Sequence, residues 1–229
     1  MSRSEFGVYV HIPFCASKCE YCAFATWTDR GHLVDAYLRA LRTEIERAIG
    51  DGLPTADTVF VGGGTPTLVR AGALAGVIDA IPVSPDAEIT VECNPDDVTV
   101  EMLRTYRSAG VNRVSLGVQS MSAHVLAALG RTHDRANVAR AVEAIAASAV
   151  PTFNLDLIYG AVGETIDDWR RTVEAALAFD PPHVSAYALT VEAGTPLAGQ
   201  PDRHPDDDDQ ADKYELVDDL LGTAGLQNY

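Results

Sequence analysis

The sequence predicts an α/β fold, a partial (β/α)6 barrel with parallel strands inside and helices outside. Three observations predict it. Strand-type and helix-type segments alternate six times along the chain, and such alternation builds right-handed βαβ units on a parallel sheet. Six units fall short of the eight in a full barrel of roughly 250 residues, so the barrel is open or partial. Polar or cofactor-competent groups stand at the C-terminal ends of all six expected strands, where parallel β/α barrels gather their chemistry.

The elements follow in order. Val8-Tyr9-Val10-His11-Ile12 is β-branched and aromatic and reads as the first strand, ended by Pro13. Apolar residues at Leu33, Tyr37, Leu38, Leu41, Ile45 and Ile49 predict a helix over 33–49, with Gly50 as its stop. A second strand over 58–61 runs straight into Gly62-Gly63-Gly64-Thr65-Pro66-Thr67, and a helix is expected over 68–80. The third strand, 88–92, is closed by Asn94-Pro95, and a helix over 100–108 is capped by Gly110. The fourth strand, 111–118, ends at Gln119-Ser120. Two short helices are expected near 123–129 and 135–147, then a fifth strand over 152–159, a helix over 166–179 and a sixth strand over 183–189.

Composition shifts near Gly194. Residues 1–195 are therefore read as the barrel, and 196–229 as a linker followed by a helix. The acidic run from Asp206 to Asp209 suits a helix's first turn, which faces its positive end, and Tyr214, Val217, Leu220 and Leu221 continue as an apolar stripe. The chain stops at Asn228-Tyr229, just after Gly225, where another strand would begin. The expectation is a fragment whose C-terminal domain is missing.

The 229 residues carry a formal net charge of −16, with Lys18 and Lys213 the only lysines. Such a field argues against binding nucleic-acid phosphates or anionic membrane surfaces. No window approaches a transmembrane span, and the N-terminus lacks a long apolar leader core. Clustered thiols without an export signal are better ligands than disulfides, so a cytoplasmic location is expected.

The stretch HIPFCASKCEYC, from His11 to Cys22, holds three of the four cysteines in a C-x3-C-x2-C spacing, on a loop read as 13–27. Three thiolates fill three corners of a cubane 4Fe–4S cluster and leave the fourth iron open to a small molecule. The alternative is a Cys3His zinc site on Cys15, Cys19, Cys22 and His11. Structural zinc sites usually draw paired ligands from two knuckles, and no second C-x2-C or His pair exists in the chain.

Gly62-Gly63-Gly64 lets backbone approach a ligand closely; without a following Gly-Lys-Ser/Thr it is not a phosphate loop. Glu92 shares a strand face with Thr90 and reads either as a ligand for cofactor hydroxyl or amino groups or as an ion-pair partner of Arg131. Asn154 and Asp156 alternate with Phe153, Leu155 and Leu157, so both point into the barrel. A carboxylate there needs a ligand or a cation. Gln119, Arg131 and Thr190 complete the candidates. Cys93 reads as a core cysteine, and His124 and His133 as surface or helix-end residues.

Tyr9, HIPFC-ASK-C-EYC, GGGTPT, VECNP, GVNRVSLGVQS, LGRTH and NLDLIYG together resemble one radical S-adenosylmethionine (SAM) family, in order and spacing, over nearly the whole chain. That family contains oxygen-independent coproporphyrinogen III oxidases and the related HemW heme chaperones. The resemblance implies a 4Fe–4S cluster on Cys15, Cys19 and Cys22. It implies SAM held by Tyr9, Tyr21, Gly63, Gly64, Thr65, Glu92, Gln119, Arg131 and Asp156, with Thr190 added from its strand end. It also implies cleavage of SAM to a 5′-deoxyadenosyl radical by an electron from the cluster. Heme or a porphyrin becomes the expected cargo, bound outside this chain, with a heme-acceptor protein and an electron donor as partners.

The oxidases resemble C-x3-C-x2-C-x-C, and the further cysteine is Phe24 here. The stretch PDDDDQADKYELVDDLLGTAGLQNY also looks like the chaperone branch. Ala161-Val162-Gly163 departs from the usual Leu-Pro after Tyr-Gly. The leading expectation is a HemW-type protein that binds heme and transfers it. The alternatives are a coproporphyrinogen oxidase, which decarboxylates its substrate to protoporphyrinogen IX, and a non-catalytic zinc module.

Overall fold

The computed structural model describes residues 5–229; the first four, which the sequence reading takes into the barrel and scans for a leader, lie outside the described residues. Six strands, β1 (Gly7–Ile12), β2 (Ala56–Gly63), β3 (Val83–Cys93), β4 (Arg113–Gln119), β5 (Thr152–Tyr159) and β6 (His183–Ala188), pair in sequence order in one sheet. Every pairing is parallel. β1 and β6 remain as the two edges, so the barrel is open, as expected. Among the described residues seven α-helices accompany the strands: α1 (Val34–Gly50), α2 (Ala71–Ile78), α3 (Val100–Ser108), α4 (Ala123–Ala128), α5 (Arg135–Ser148), α6 (Ile166–Leu177) and α7 (Asp207–Thr223). α3 is capped by the Thr99 side chain, while α5 and α6 open with reciprocal capping boxes, Asp134 with Asn137 and Thr165 with Asp168.

The strands divide their side chains by parity. Val59, Val61, Ile89, Val91, Val114, Leu116, Leu155 and Leu157 belong to the buried apolar core, together with Leu38, Leu74, Leu103, Val138 and Trp169 from the helices. The alternate positions (Phe60, Glu92, Arg113, Ser115, Asn154, Asp156, His183 and Ser185) line a cavity inside the sheet. A full barrel fills that space with layers of branched apolar side chains. Here it is polar and open.

The expected helix over 68–80 is interrupted. One 3-10 turn covers Pro66–Leu68, Val69 is extended, and α2 starts only at Ala71. The Thr67 hydroxyl donates to Asp97 at 2.8 Å and accepts from the Asn94 N–H, while Val69 is buried, so this stretch is pinned to the β3 end. The acidic run does form the first turn of α7, with the Asp206 side chain accepting from Asp209 N–H at 2.9 Å. α7 is docked on the barrel: Val217 is buried in the main core and Trp169 Nε1 donates to the Lys213 carbonyl at 2.9 Å.

Of the two histidines read as surface or helix-end residues, His124 is one and His133 is corrected. His133 is buried, and its Nε2 bonds the Val118 carbonyl at 2.7 Å, tying the start of α5 to the end of β4. His124 is exposed but partnered, with Ser122 Oγ at 3.0 Å and the Asp168 carboxylate at 3.3 Å.

Candidate functional site

The cysteine loop is closed at its neck. Cys15 N–H donates to the Trp27 carbonyl at 3.2 Å, and Trp27 N–H donates to Pro13 O at 2.8 Å. Within the loop, Cys22 N–H donates to Cys19 O at 3.1 Å and forms a tight turn. Cys15, Cys19 and Cys22 are all half-buried free thiols facing the cavity, whereas Cys93 is buried in the core. The glycine run lies alongside: Gly64 N–H donates to Ile12 O and Thr65 N–H to Phe14 O, both at 2.7 Å. A Cβ on Gly64 would stand 2.6 Å from Phe14 O and 3.0 Å from Cys15 Sγ. Only glycine leaves the loop's first sulfur in place. Gly63 has φ +109°, a region open to glycine, and a Cβ there would strike the His11 ring.

The cavity has a volume of about 680 Å³, within the range of small-molecule sites. Its wall includes Cys15, Cys19, Cys22, Tyr21, Gly63, Gly64, Thr65, Glu92, Gln119, Arg131, Asp156 and Thr190. The structure thus gathers every sequence-predicted residue except Tyr9. That ring is exposed on β1, stacked against Phe60 at 6.3 Å between centroids, with its hydroxyl 2.9 Å from His11 Nδ1. Phe60 does line the cavity. Thr190 is exposed at the rim.

Glu92 does not pair with Arg131. Its Oε2 accepts from Gly63 N–H at 3.0 Å. Burial pushes its pKa up to about 7, with the Asp156 charge adding and the Gly63 hydrogen bond opposing. Arg131 instead points at the cysteine loop, with Nη1 4.0 Å from Cys19 Sγ and Nη2 donating to Gly117 O at 3.2 Å. Asp156 accepts from Ser115 Oγ and from Asn154 Nδ2, each at 2.7 Å. Burial raises its pKa, opposed by these hydrogen bonds and by Arg113.

Gln119 is the strained residue of the site. Its φ is 63°, left-handed for a side-chain-bearing residue, at a register shift between β4 and β5. Its Oε1 is buried without a hydrogen-bond partner. Strain and an orphaned acceptor at one cavity residue fit a bound group that donates a hydrogen bond.

Sequence reasoning missed Arg113, Ser115, His183 and Ser185, which extend the polar wall below Asp156. Arg113 donates to Thr90 Oγ1 at 3.4 Å and its Nη2 lies 3.1 Å from His183 Nδ1. Period-two alternation, applied to β4 and β6 as it was to β5, finds all four.

The donor set suits a cluster better than zinc. His11 has both ring nitrogens engaged, Nδ1 by Tyr9 and Nε2 by the Ala25 carbonyl at 2.9 Å, so the Cys3His alternative loses its fourth ligand. Among the described residues no group of three or more His, Cys, Asp or Glu gathers around one ion position. Tetrahedral zinc would draw its sulfurs to about 3.8 Å apart, given Zn–S bonds near 2.3 Å. A cubane takes each thiolate to its own iron corner.

An open parallel β/α barrel with three thiols at its C-terminal mouth defines a class, and comparison with known proteins identifies it. The Radical SAM superfamily profile matches residues 9–176, and the chain belongs to that superfamily, which implies a 4Fe–4S cluster and SAM. A protein named heme chaperone HemW from Mycobacterium tuberculosis is 45% identical over the whole chain and 62% of its own length. HemW from Escherichia coli is 37% identical over 97% of the chain and 61% of its own length. The chain thus spans about three fifths of these relatives. Among solved structures, E. coli coproporphyrinogen III oxidase (HemN), a radical SAM enzyme, superposes with a TM-score of 0.86 at 26% identity, covering 97% of this chain and 54% of that one.

Proposed function

We propose that this chain is the radical SAM part of a HemW-type protein that binds heme and hands it to an acceptor protein. The observation that carries the reading is Phe24. It lines the cavity, exposed, two residues after Cys22, where the resemblance gives the oxidases a further cysteine. Identities of 45% and 37% to proteins named HemW, against 26% to the oxidase, support the same branch.

In this reading Cys15, Cys19 and Cys22 would hold the cluster, which would supply the reducing electron for SAM chemistry. The chain's own groups do the positioning. The Gly63–Thr65 backbone and Glu92 face the amino and hydroxyl groups of SAM. Gln119 offers its free Oε1 to a donor, Arg131 offsets negative charge beside Cys19, and Asp156 accepts from ribose hydroxyls. Tyr21 supplies aromatic surface, Tyr9 acts only from behind Phe60, and Thr190 stands at the rim. An electron-donor protein and a heme acceptor are the partners this scheme requires. Among the described residues no helix is long and apolar enough to cross a membrane. Four free cysteines, three of them clustered, suit a reducing cytoplasm.

The test uses the whole protein, reconstituted anaerobically with iron and sulfide. Electron paramagnetic resonance of the reduced protein is expected to show a cluster signal that changes on adding SAM, absent in Cys19→Ala and retained without the SAM response in Asp156→Ala. Heme titration is expected to saturate, and an anaerobic assay with coproporphyrinogen III to yield no protoporphyrinogen. Protoporphyrinogen formation, or failure to bind heme, overturns the chaperone reading. One zinc and no sulfide overturns the radical SAM chemistry.

A further inference from the structure

We propose that Arg203 is a positioning residue for the cysteine loop, the centre of a clasp that fixes the Cys19–Cys22 turn from outside the barrel. The inference rests on the loop's assignment as a cluster loop and not on the identity of the cargo. The segment after β6, read from sequence as a plain connector, folds into two 3-10 turns, Leu197–Gly199 and Pro201–Arg203, against that turn. Leu197 is buried in a small apolar cluster with Val125, Leu129, Ile158, Ala161 and Leu189, and Tyr21 of the cysteine loop packs on it. Leu197 N–H donates to Glu20 O at 3.0 Å. The Arg203 guanidinium pairs with the Glu20 carboxylate, donates to Gln200 Oε1 at 2.7 Å, and donates through Nη2 to Ala128 O at 2.8 Å. The last of these is a carbonyl at the C-terminal end of α4, where a cation also meets the helix's negative end.

The loop needs such an anchor. Ala16, Ser17, Lys18, Ala23, Phe24 and Ala25 are exposed, so little of the loop is held by a core of its own. The neck hydrogen bonds fix Cys15. Between the neck and the far side, Cys19 and Cys22 are placed by their own turn, by Arg131 and by the clasp. Groups behind metal ligands orient them, and a three-thiolate cluster has no spare ligand to absorb misplacement. Arginine suits the position because its planar fork reaches three acceptors at once, which lysine does not.

The experiment uses the whole protein before and after anaerobic reconstitution. Before it, iodoacetamide alkylation of each cysteine is timed by mass spectrometry, with buried Cys93 reporting global opening. In Arg203→Ala, which loses three contacts, Cys19 and Cys22 are expected to react at least about tenfold faster, the opening that the loss of even one charge-assisted hydrogen bond gives, with Cys93 unchanged. After reconstitution, the variant's cluster is expected to bleach faster in air and to give a broadened reduced-state resonance. Arg203→Lys, which keeps the Glu20 pair alone, is expected to fall between the two. Should Arg203→Ala not fold, Glu20→Gln removes only the ion pair and is expected to change Cys19 and Cys22 in the same direction. Unchanged alkylation of Cys19 and Cys22, or a parallel rise at Cys93, overturns the proposal.

Discussion

Replacing Glu92 with Gln will remove a loss of stability that the protein suffers as pH rises from about 4.5 to about 7. The carboxylate is held inside the cavity with one donor, Gly63 N–H at 3.0 Å, and with Asp156 as a nearby like charge. Its folded-state pKa stands at about 7, raised from 4.5. Between these values the folded chain keeps the proton that the unfolded chain has released. Stability therefore falls as pH rises through this window and stays low above it. The 2.5-unit difference corresponds to about 3 kcal/mol at about 1.4 kcal/mol per unit. Gln keeps an acceptor for Gly63 N–H and the shape of the side chain, and it carries no charge at any pH. Urea unfolding of the metal-free protein at pH 5 and pH 8 measures the effect. Part of that loss has already occurred at pH 5, so across the interval the wild type should lose about 2.5 kcal/mol more than Glu92→Gln. Parallel pH dependences in the two proteins, or a variant less stable than wild type at pH 8, would refute the reasoning. The same geometry gives a second readout. A cationic ligand beside Glu92 favours the ionised form, so SAM binding near pH 6.5 should release protons in the wild type and fewer in the variant, as calorimetry in buffers of different ionisation enthalpy would report.

Two further changes follow from the packing. Gly64→Ala puts a Cβ 2.6 Å from Phe14 O, 2.8 Å from Ile12 O and 3.0 Å from Cys15 Sγ. The overpacking should cost about 2 kcal/mol and lower the iron retained per chain after reconstitution, measured by thermal melting and metal analysis. Lys213→Met removes the cation from a pair in which both side chains are fully buried, Lys213 Nζ lying 3.2 Å from Glu164 Oε2. An uncompensated buried carboxylate should destabilise by about 3–5 kcal/mol, and Lys213→Met with Glu164→Gln should recover part of it in urea melts.

Much of the barrel is legible because four of the six strands carry a stop of their own. Pro13, the glycine run, Asn94-Pro95 and Gly160 mark where β1, β2, β3 and β5 give way to loops. In a parallel sheet those same ends make the mouth of the site. Cys15, Cys19, Cys22, Glu92, Gln119 and Asp156 were readable for that reason. Arg113 and His183 share the inner face by alternation but sit at the strand starts, away from the mouth, so a reading of strand ends alone passes over them. His133 was misplaced because its partner, the Val118 carbonyl, is backbone, and backbone acceptors leave no mark in a sequence. The clasp was invisible for a related reason: Gly-Thr-Pro-Leu-Ala-Gly-Gln-Pro has the composition of a linker, and only the position of Glu20 and Ala128 in space gives Arg203 and Leu197 something to hold.

The polar inner face explains how this barrel combines a stable core with a site that violates the rules of cores. The apolar contacts lie on the helix side, among residues such as Val91, Leu116, Leu155 and Trp169, all fully buried. Substitutions on the inner face therefore change the site without opening the core. Buried polar groups still need partners, and along that face they find them: Asp156 in Ser115 and Asn154, Arg113 in Thr90, Glu92 in Gly63. Gln119 breaks the pattern twice, in its backbone and in its unpaired Oε1. Nothing in the helix layer requires a residue with φ 63° at the end of β4; glycine there would relieve the strain. A side chain held against that preference, with its acceptor turned into a cavity beside three thiols, fits the proposed ligand role better than it fits packing.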